Sequence, residues 1–125
     1  MPVAVGHRLT FGNFFLISTG DRPAAIIAIE PFGVEGVAVI TLATYVPVKG
    51  HVVGTAIDNP FYAPSELTAP DATVIPAHGE LQVVVILERT AGASRSYVGG
   101  FVVQFRVGTD RYELHSTQTI TLTDP

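Results

Sequence analysis

The chain has no cysteine. That absence removes a disulfide framework, a thiolate zinc site, iron–sulfur ligation and a nucleophilic thiol in one step. Blue copper goes with them, because its equatorial thiolate has no residue to supply it. The compartment stays open, since a missing thiol fits either side of a membrane. Charge is scarce too. Asp, Glu, Lys and Arg make up 14% of the residues, against roughly 25% in ordinary soluble domains. Hydrophobic residues make up 47% and mean hydropathy is +0.40. Such a chain either buries strands on both faces or covers apolar surface with a partner or another copy of itself.

Positive charge is both scarce and dispersed. The seven basic residues are Arg8, Arg22, Lys49, Arg89, Arg95, Arg106 and Arg111, and the net charge is −4. Displacing counterions from nucleic acid takes a concentrated basic face, so nucleic acid is not an expected partner. Docking on anionic lipid is disfavoured for the same reason. No apolar run approaches the roughly 18 residues of a membrane span. The opening MPVAVGHRLTFGN has no basic region followed by a long apolar stretch, so neither membrane insertion nor a leader peptide is expected of the chain as it stands.

What is present is β grammar. A chain of 125 residues is one domain by size, able to bury about two-thirds of its unfolded surface. The stretch Leu9 to Glu30 sets the pattern: two apolar β-type runs, Leu9 to Ser18 and Ala24 to Ile29, flank Thr19-Gly20-Asp21-Arg22-Pro23. Gly20 tolerates a positive φ, Asp21 accepts from backbone amides and Pro23 cannot donate to a ladder, so this is a strand-ending corner. Period-2 geometry places Phe11, Asn13, Phe15 and Ile17 on one face of the first strand, with Thr10, Gly12, Phe14, Leu16 and Ser18 on the other. The Ala24 to Ile29 run is too short, too Ile-rich and too tightly bounded by Pro23 and Pro31 for a helix.

Further strands are expected at Val37 to Tyr45, at His51 to Ile57 in a weak form, at Glu80 to Glu88 as a central strand, and at Tyr97 to Val107. The last pairs with Tyr112 to Leu122 through the turn from Val107 to Arg111, the clearest hairpin in the chain. Between them Asp58 to Gly79 carries four prolines, at 60, 64, 70 and 76. A connection that long is usually functional or has minor structure of its own. It is expected to drape across the fold, with a short strand or turn at Ser65 to Leu67 or Thr73 to Ile75. Seven to eight strands without helical periodicity give an all-β fold, an antiparallel immunoglobulin-like β-sandwich spanning residues 1–125.

The run Phe14-x-Leu16-x-Ser18-Thr19-Gly20-Asp21-Arg22-Pro23-x-x-Ile26, with Val74-Ile75-Pro76-Ala77-His78-Gly79-Glu80-Leu81-x-Val83 further on, resembles bacterial immunoglobulin-like accessory modules of the CARDB-like and abnormal-spindle/Hydin-like groups. Ser18 stands where those modules usually have Asn, and Ala77-His78 interrupts their Pro-Gly turn. The resemblance implies a non-catalytic adhesion, scaffold or docking module in an envelope or particle assembly. It favours the cell envelope or the extracellular space for a chain whose leader has been removed. The Arg-over-Lys bias with abundant Ala, Val and Gly points to a bacterial or phage source.

The search for chemistry ends in isolated residues. His7, His51, His78 and His115 have no spacing that would put two on one face as paired ligands, so a metal site or enzyme centre would have to be assembled by folding from scattered His, Asp and Glu. That remains the alternative to a non-catalytic module; no cofactor, metal or catalytic residue is expected. His78-Gly79-Glu80 matches the H-x-E fragment of zinc deaminases, but the partner P-C-x-x-C is impossible here. Gly92-Ala93-Ser94-Arg95-Ser96 lacks the last glycine of a nucleophile elbow. Carboxylates lie scattered over turns and strand ends, and Gly99-Gly100 reads as a bulge or a close backbone approach. Phe61 and Tyr62 are the candidate interaction residues. Two adjacent aromatics in a Pro-rich connection can anchor a protein partner, or fold back to cap the open end of the domain. The uncharged strands Ala24 to Ile29 and Val37 to Tyr45 lack the usual defence against sheet-to-sheet pairing. Self-association or a protein partner is therefore expected to cover at least one of them, with a homo-oligomer preferred.

Overall fold

The computed structural model describes residues 1–46, 55–58 and 67–125. Among these there are ten strands in three antiparallel sheets and no α-helix. They are β1 (Arg8–Ile17), β2 (Ala24–Phe32), β3 (Val37–Tyr45), β4 (Ala56–Ile57), β5 (Val74–Ile75), β6 (Glu80–Arg89), β7 (Ser96–Val98), β8 (Gly100–Val107), β9 (Asp110–Ser116) and β10 (Ile120–Leu122). One four-stranded sheet runs β3-β6-β1-β4, the other runs β5-β2-β8-β9, and β10 pairs β7 in a small third sheet. The count exceeds the expected seven to eight because the expected strands Tyr97 to Val107 and Tyr112 to Leu122 are each split in two, leaving β7 and β10 as pieces of three residues. Pieces that short carry no readable alternation.

The core draws on both large sheets. Leu81, Val83, Val85 and Leu87 of β6 join Leu9, Phe11, Phe14 and Leu16 of β1, and Ile26, Ile29, Phe101 and Val103 come from β2 and β8. Each such side chain contributes about 1.5–3 kcal/mol on leaving water. As its continuous Val/Ile run implies, β6 is central and buried on both faces: Gln82 and Val84, which alternate with the core residues, are fully enclosed as well.

Three strands carry bulges, and the first corrects the face assignment made above. The β1–β6 register shifts between Phe11 and Phe14. The extra residue carries Phe14 and Leu16 onto the same buried cluster as Leu9 and Phe11, while Asn13 and Ile17 are exposed. Strict period 2 fails because a bulge sets two residues opposite one. The buried Gln82 side chain donates from Nε2 to the Gly12 carbonyl, satisfying an acceptor inside the irregularity. Similar shifts fall between Ile26 and Ala28 in β2 and between Val39 and Thr41 in β3.

The run Tyr97 to Val107 is not one strand. It breaks at Gly99, and its partner breaks between β9 and β10. The lower part pairs Phe101 with Ser116 through to Val107 with Asp110, around the two-residue turn Gly108-Thr109. The upper part pairs Val98 with Ile120 and Ser96 with Leu122 in the third sheet. At the break the Phe32 ring rests on Gly100, where an added Cβ would come within 2.5 Å of the ring. The close backbone approach expected of the Gly-Gly pair lies at Gly99, where an added Cβ would stand 3.2 Å from the Phe32 carbonyl oxygen. β2 also runs beyond Ile29 to Phe32, through Pro31. It can do so because β5 pairs only Ala24 and Ala25, so that among the described residues no strand on that side of Pro31 misses its N–H.

Loops tie the sheets together. In the long connection, a 3-10 turn at Pro70–Ala72 precedes β5, which falls within the expected Thr73 to Ile75. The buried Thr44 and Thr73 hydroxyls lie 2.7 Å apart; Thr44 also reaches the Thr68 carbonyl and Thr73 the Ala69 carbonyl, so two protons serve three contacts. At the opposite end, Arg89 donates to the Val3 carbonyl and to Ser96 Oγ and pairs with Asp124 at 2.9 Å. The chain start lies along the end of the chain, with Pro2 bridging Thr123 in parallel.

Candidate functional site

The Thr19-to-Pro23 corner does more than end a strand. The Ser18 amide donates to the Gly79 carbonyl and the His78 amide to the Gly20 carbonyl, so the corner sits against the Pro76–Gly79 turn. That turn closes with the Gly79 amide on the Pro76 carbonyl. His78 occupies it at φ 55, the left-handed region, with Nε2 2.8 Å from Asp21 Oδ1. The two segments singled out by the resemblance are thus neighbours.

Beside this corner lies an open apolar groove of about 620 Å³. Phe15, Leu16 and Ile17 of β1 form one wall, and Tyr112 and Leu114 of β9 form the other. Its floor is the core itself, reached at Ile26, Ile75, Val103 and Phe105. Among the described residues β4 pairs only with Leu9 and Thr10 of β1. In the facing sheet β9 runs alongside the whole of β8. Tyr112 and Leu114 share the core-facing side of that sheet with Phe105 and Val103, yet they are 50% and 47% exposed. The Tyr112 ring stacks on Phe105 at 5.3 Å.

Polar groups gather at one end only: Ser18, Thr19, Asp21 and Arg22. Arg22 lies against Gly108 at the β8–β9 turn, with a guanidinium nitrogen 2.2 Å from where a Cβ on that glycine would stand. Its guanidinium makes no ion pair or hydrogen bond among the described residues.

Three histidines each meet a single carboxylate: His7 with Asp58, His78 with Asp21 at 2.8 Å, and His115 with Glu113 at 2.5 Å. No group of three or more potential ligands gathers among the described residues. His51 and the candidate interaction residues Phe61 and Tyr62 lie outside the described residues. Asp58 is held through both carboxylate oxygens. It accepts from the Arg8 amide and from His7, and these bonds hold its carboxyl below the usual range. Glu35 is lowered likewise by the paired hydrogen bonds of Arg95, whose guanidinium also sits 4.5 Å above the Tyr97 ring.

Sequence reasoning did not find the groove. Its available signal was the alternation of Tyr112 and Leu114 with Arg111, Glu113 and His115, but an exposed inner face cannot be told from a buried one by alternation. No family model, curated protein or solved structure matches the chain.

Proposed function

We propose that the chain is a non-catalytic immunoglobulin-like β-sandwich that works as a structural or protein-interaction module, a self-associating component of a larger envelope or particle assembly. The observation that carries this reading is β3. It is an edge strand of nine residues without a charged side chain, laddered with β6 and bridged on its other edge only at Thr44, by Thr68, among the described residues. Its Val39 and Ile40 are 36% and 40% exposed. Edges are usually defended with Lys, Pro or a bulge; here a bulge at Ile40 takes that part in the middle of the strand. The bulge turns adjacent apolar side chains outward, which favours side-chain packing against a second copy over a continuous ladder between copies. The low charge of the chain and the resemblance of its corner and Pro76–Gly79 turn to bacterial accessory modules support the same reading.

Light scattering on the purified protein across micromolar concentrations tests it. A mass of at least two chains is expected, falling to one chain in V39K and I40K with an unchanged β-type circular dichroism spectrum. A wild-type protein that stays monomeric at every concentration would sink the proposal.

A further inference from the structure

We propose that the groove between β1 and β9 is a binding site for an anionic amphiphile, a single apolar chain ending in one carboxylate, independent of the association surface on β3. The size fits. Small-ligand sites run from about 300 to 1,000 Å³, are mostly apolar, and carry a few placed polar groups; this groove has about 620 Å³. Its polarity is that of the ligand. Ile17, Phe105 and Leu114 offer apolar contact along its length, and charge is confined to the corner end. There Arg22 is the cation, with no ion pair among the described residues. A guanidinium matches a carboxylate through two parallel N–H donors, and Ser18 and Thr19 also line the groove at the corner. The groups facing this position are Asp21, Arg22 and Tyr112. Asp21 is engaged by His78, which draws the competing carboxylate to the turn side of the corner.

A peptide strand is the competing occupant, because β9 has no further strand beside it among the described residues. A strand would take its backbone partners from that edge and leave Arg22 without a matching charge, whereas a carboxylate-ended chain uses both the apolar floor and the guanidinium, which favours the amphiphile. Binding would also place an apolar chain over core residues that the fold leaves open, the source of the driving force.

Dodecanoate is the probe, titrated calorimetrically below its micelle concentration and followed by amide chemical shifts, with dodecan-1-ol as the uncharged control. The expected result is saturable one-to-one binding with shifts centred on Ile17, Phe105, Leu114 and Arg22. R22Q should weaken dodecanoate by about tenfold or more, the worth of a charge-assisted hydrogen bond, and leave dodecan-1-ol unchanged. L114E, at a half-exposed position that the core does not need, should abolish both while the circular dichroism spectrum stays the same. No saturable binding overturns the proposal, as do shifts centred elsewhere or an equal response of acid and alcohol to R22Q. Preferential binding of an alternating Val/Thr peptide would assign the groove to strand addition and overturn it as well.

Discussion

The Phe14 ring packs 5.1 Å from the Phe101 ring, tilted at 48°, joining the two four-stranded sheets through the middle of the core. Phe101 is fully buried and Phe14 nearly so. Truncating Phe101 to Ala removes the ring, its aromatic contact and the filling of a site that cannot fully collapse. F101A should lose about 3–5 kcal/mol, a large part of the 5–15 kcal/mol typical of a domain. Urea denaturation with an unchanged m-value checks it.

Phe14 shows where the sequence is legible and where it stops. The existence of β1, β2, β3, β6 and the Gly108-Thr109 hairpin is written in their β-branched runs and turn residues. The side on which Phe14 sits is not, because the bulge after Phe11 reverses the alternation and depends on a side chain far along the chain, Gln82. The same limit applies to the break at Gly99. Only the Phe32 ring over Gly100, from a strand far earlier in the chain, tells a close approach from a simple turn. The groove is less legible still. It is lined by β1, β2, β8 and β9, which lie far apart in the chain, and no local pattern records their meeting.

Gln82 therefore carries a prediction. It is fully buried and donates to the Gly12 carbonyl. Q82L keeps the volume but removes the donor, leaving a buried acceptor unpaired at a cost of about 1–3 kcal/mol. Hydrogen exchange should accelerate first for the amides of β1 around the bulge, and uniform protection in the variant would contradict the assignment.

Gly36 offers a sharper test of backbone packing. It has φ 63, and a Cβ there would lie 2.3 Å from the Arg95 carbonyl oxygen and 2.8 Å from the Ala93 Cβ. Neither neighbour is the free end of a flexible side chain. G36A must shift the loop before β7 and disturb the reciprocal Glu35–Tyr97 backbone pair. We expect a loss of about 2 kcal/mol or more, above the 1 kcal/mol or so of an ordinary exposed Gly-to-Ala strain. A thermal shift smaller than that of an exposed control such as G92A, where nothing lies within 4 Å of the added Cβ, would refute it.

Acid should loosen the molecule at two exposed carboxylates. Asp58 is lowered from its ordinary 3.8, mainly by the Arg8 amide and then by the His7 side chain, and Glu35 is lowered from 4.5, mainly by its Arg95 hydrogen bonds. A carboxyl whose folded pKa is depressed binds fewer protons folded than unfolded just below its ordinary value. Its stabilisation is therefore complete above that value and is lost as pH falls through the folded pKa. The unfolding midpoint should be flat above about pH 5 and decline from about pH 4 downward. D58N tests the share of Asp58. Asn can still accept from the Arg8 amide and tolerates the φ of 51 found there, but it has no proton to take up. The variant should be slightly less stable at neutral pH and show a shallower acid decline, whereas D58A should be less stable at every pH because it loses the acceptor and strains the backbone. An acid decline in D58N as steep as in the wild type would show that Asp58 does not link folding to protons.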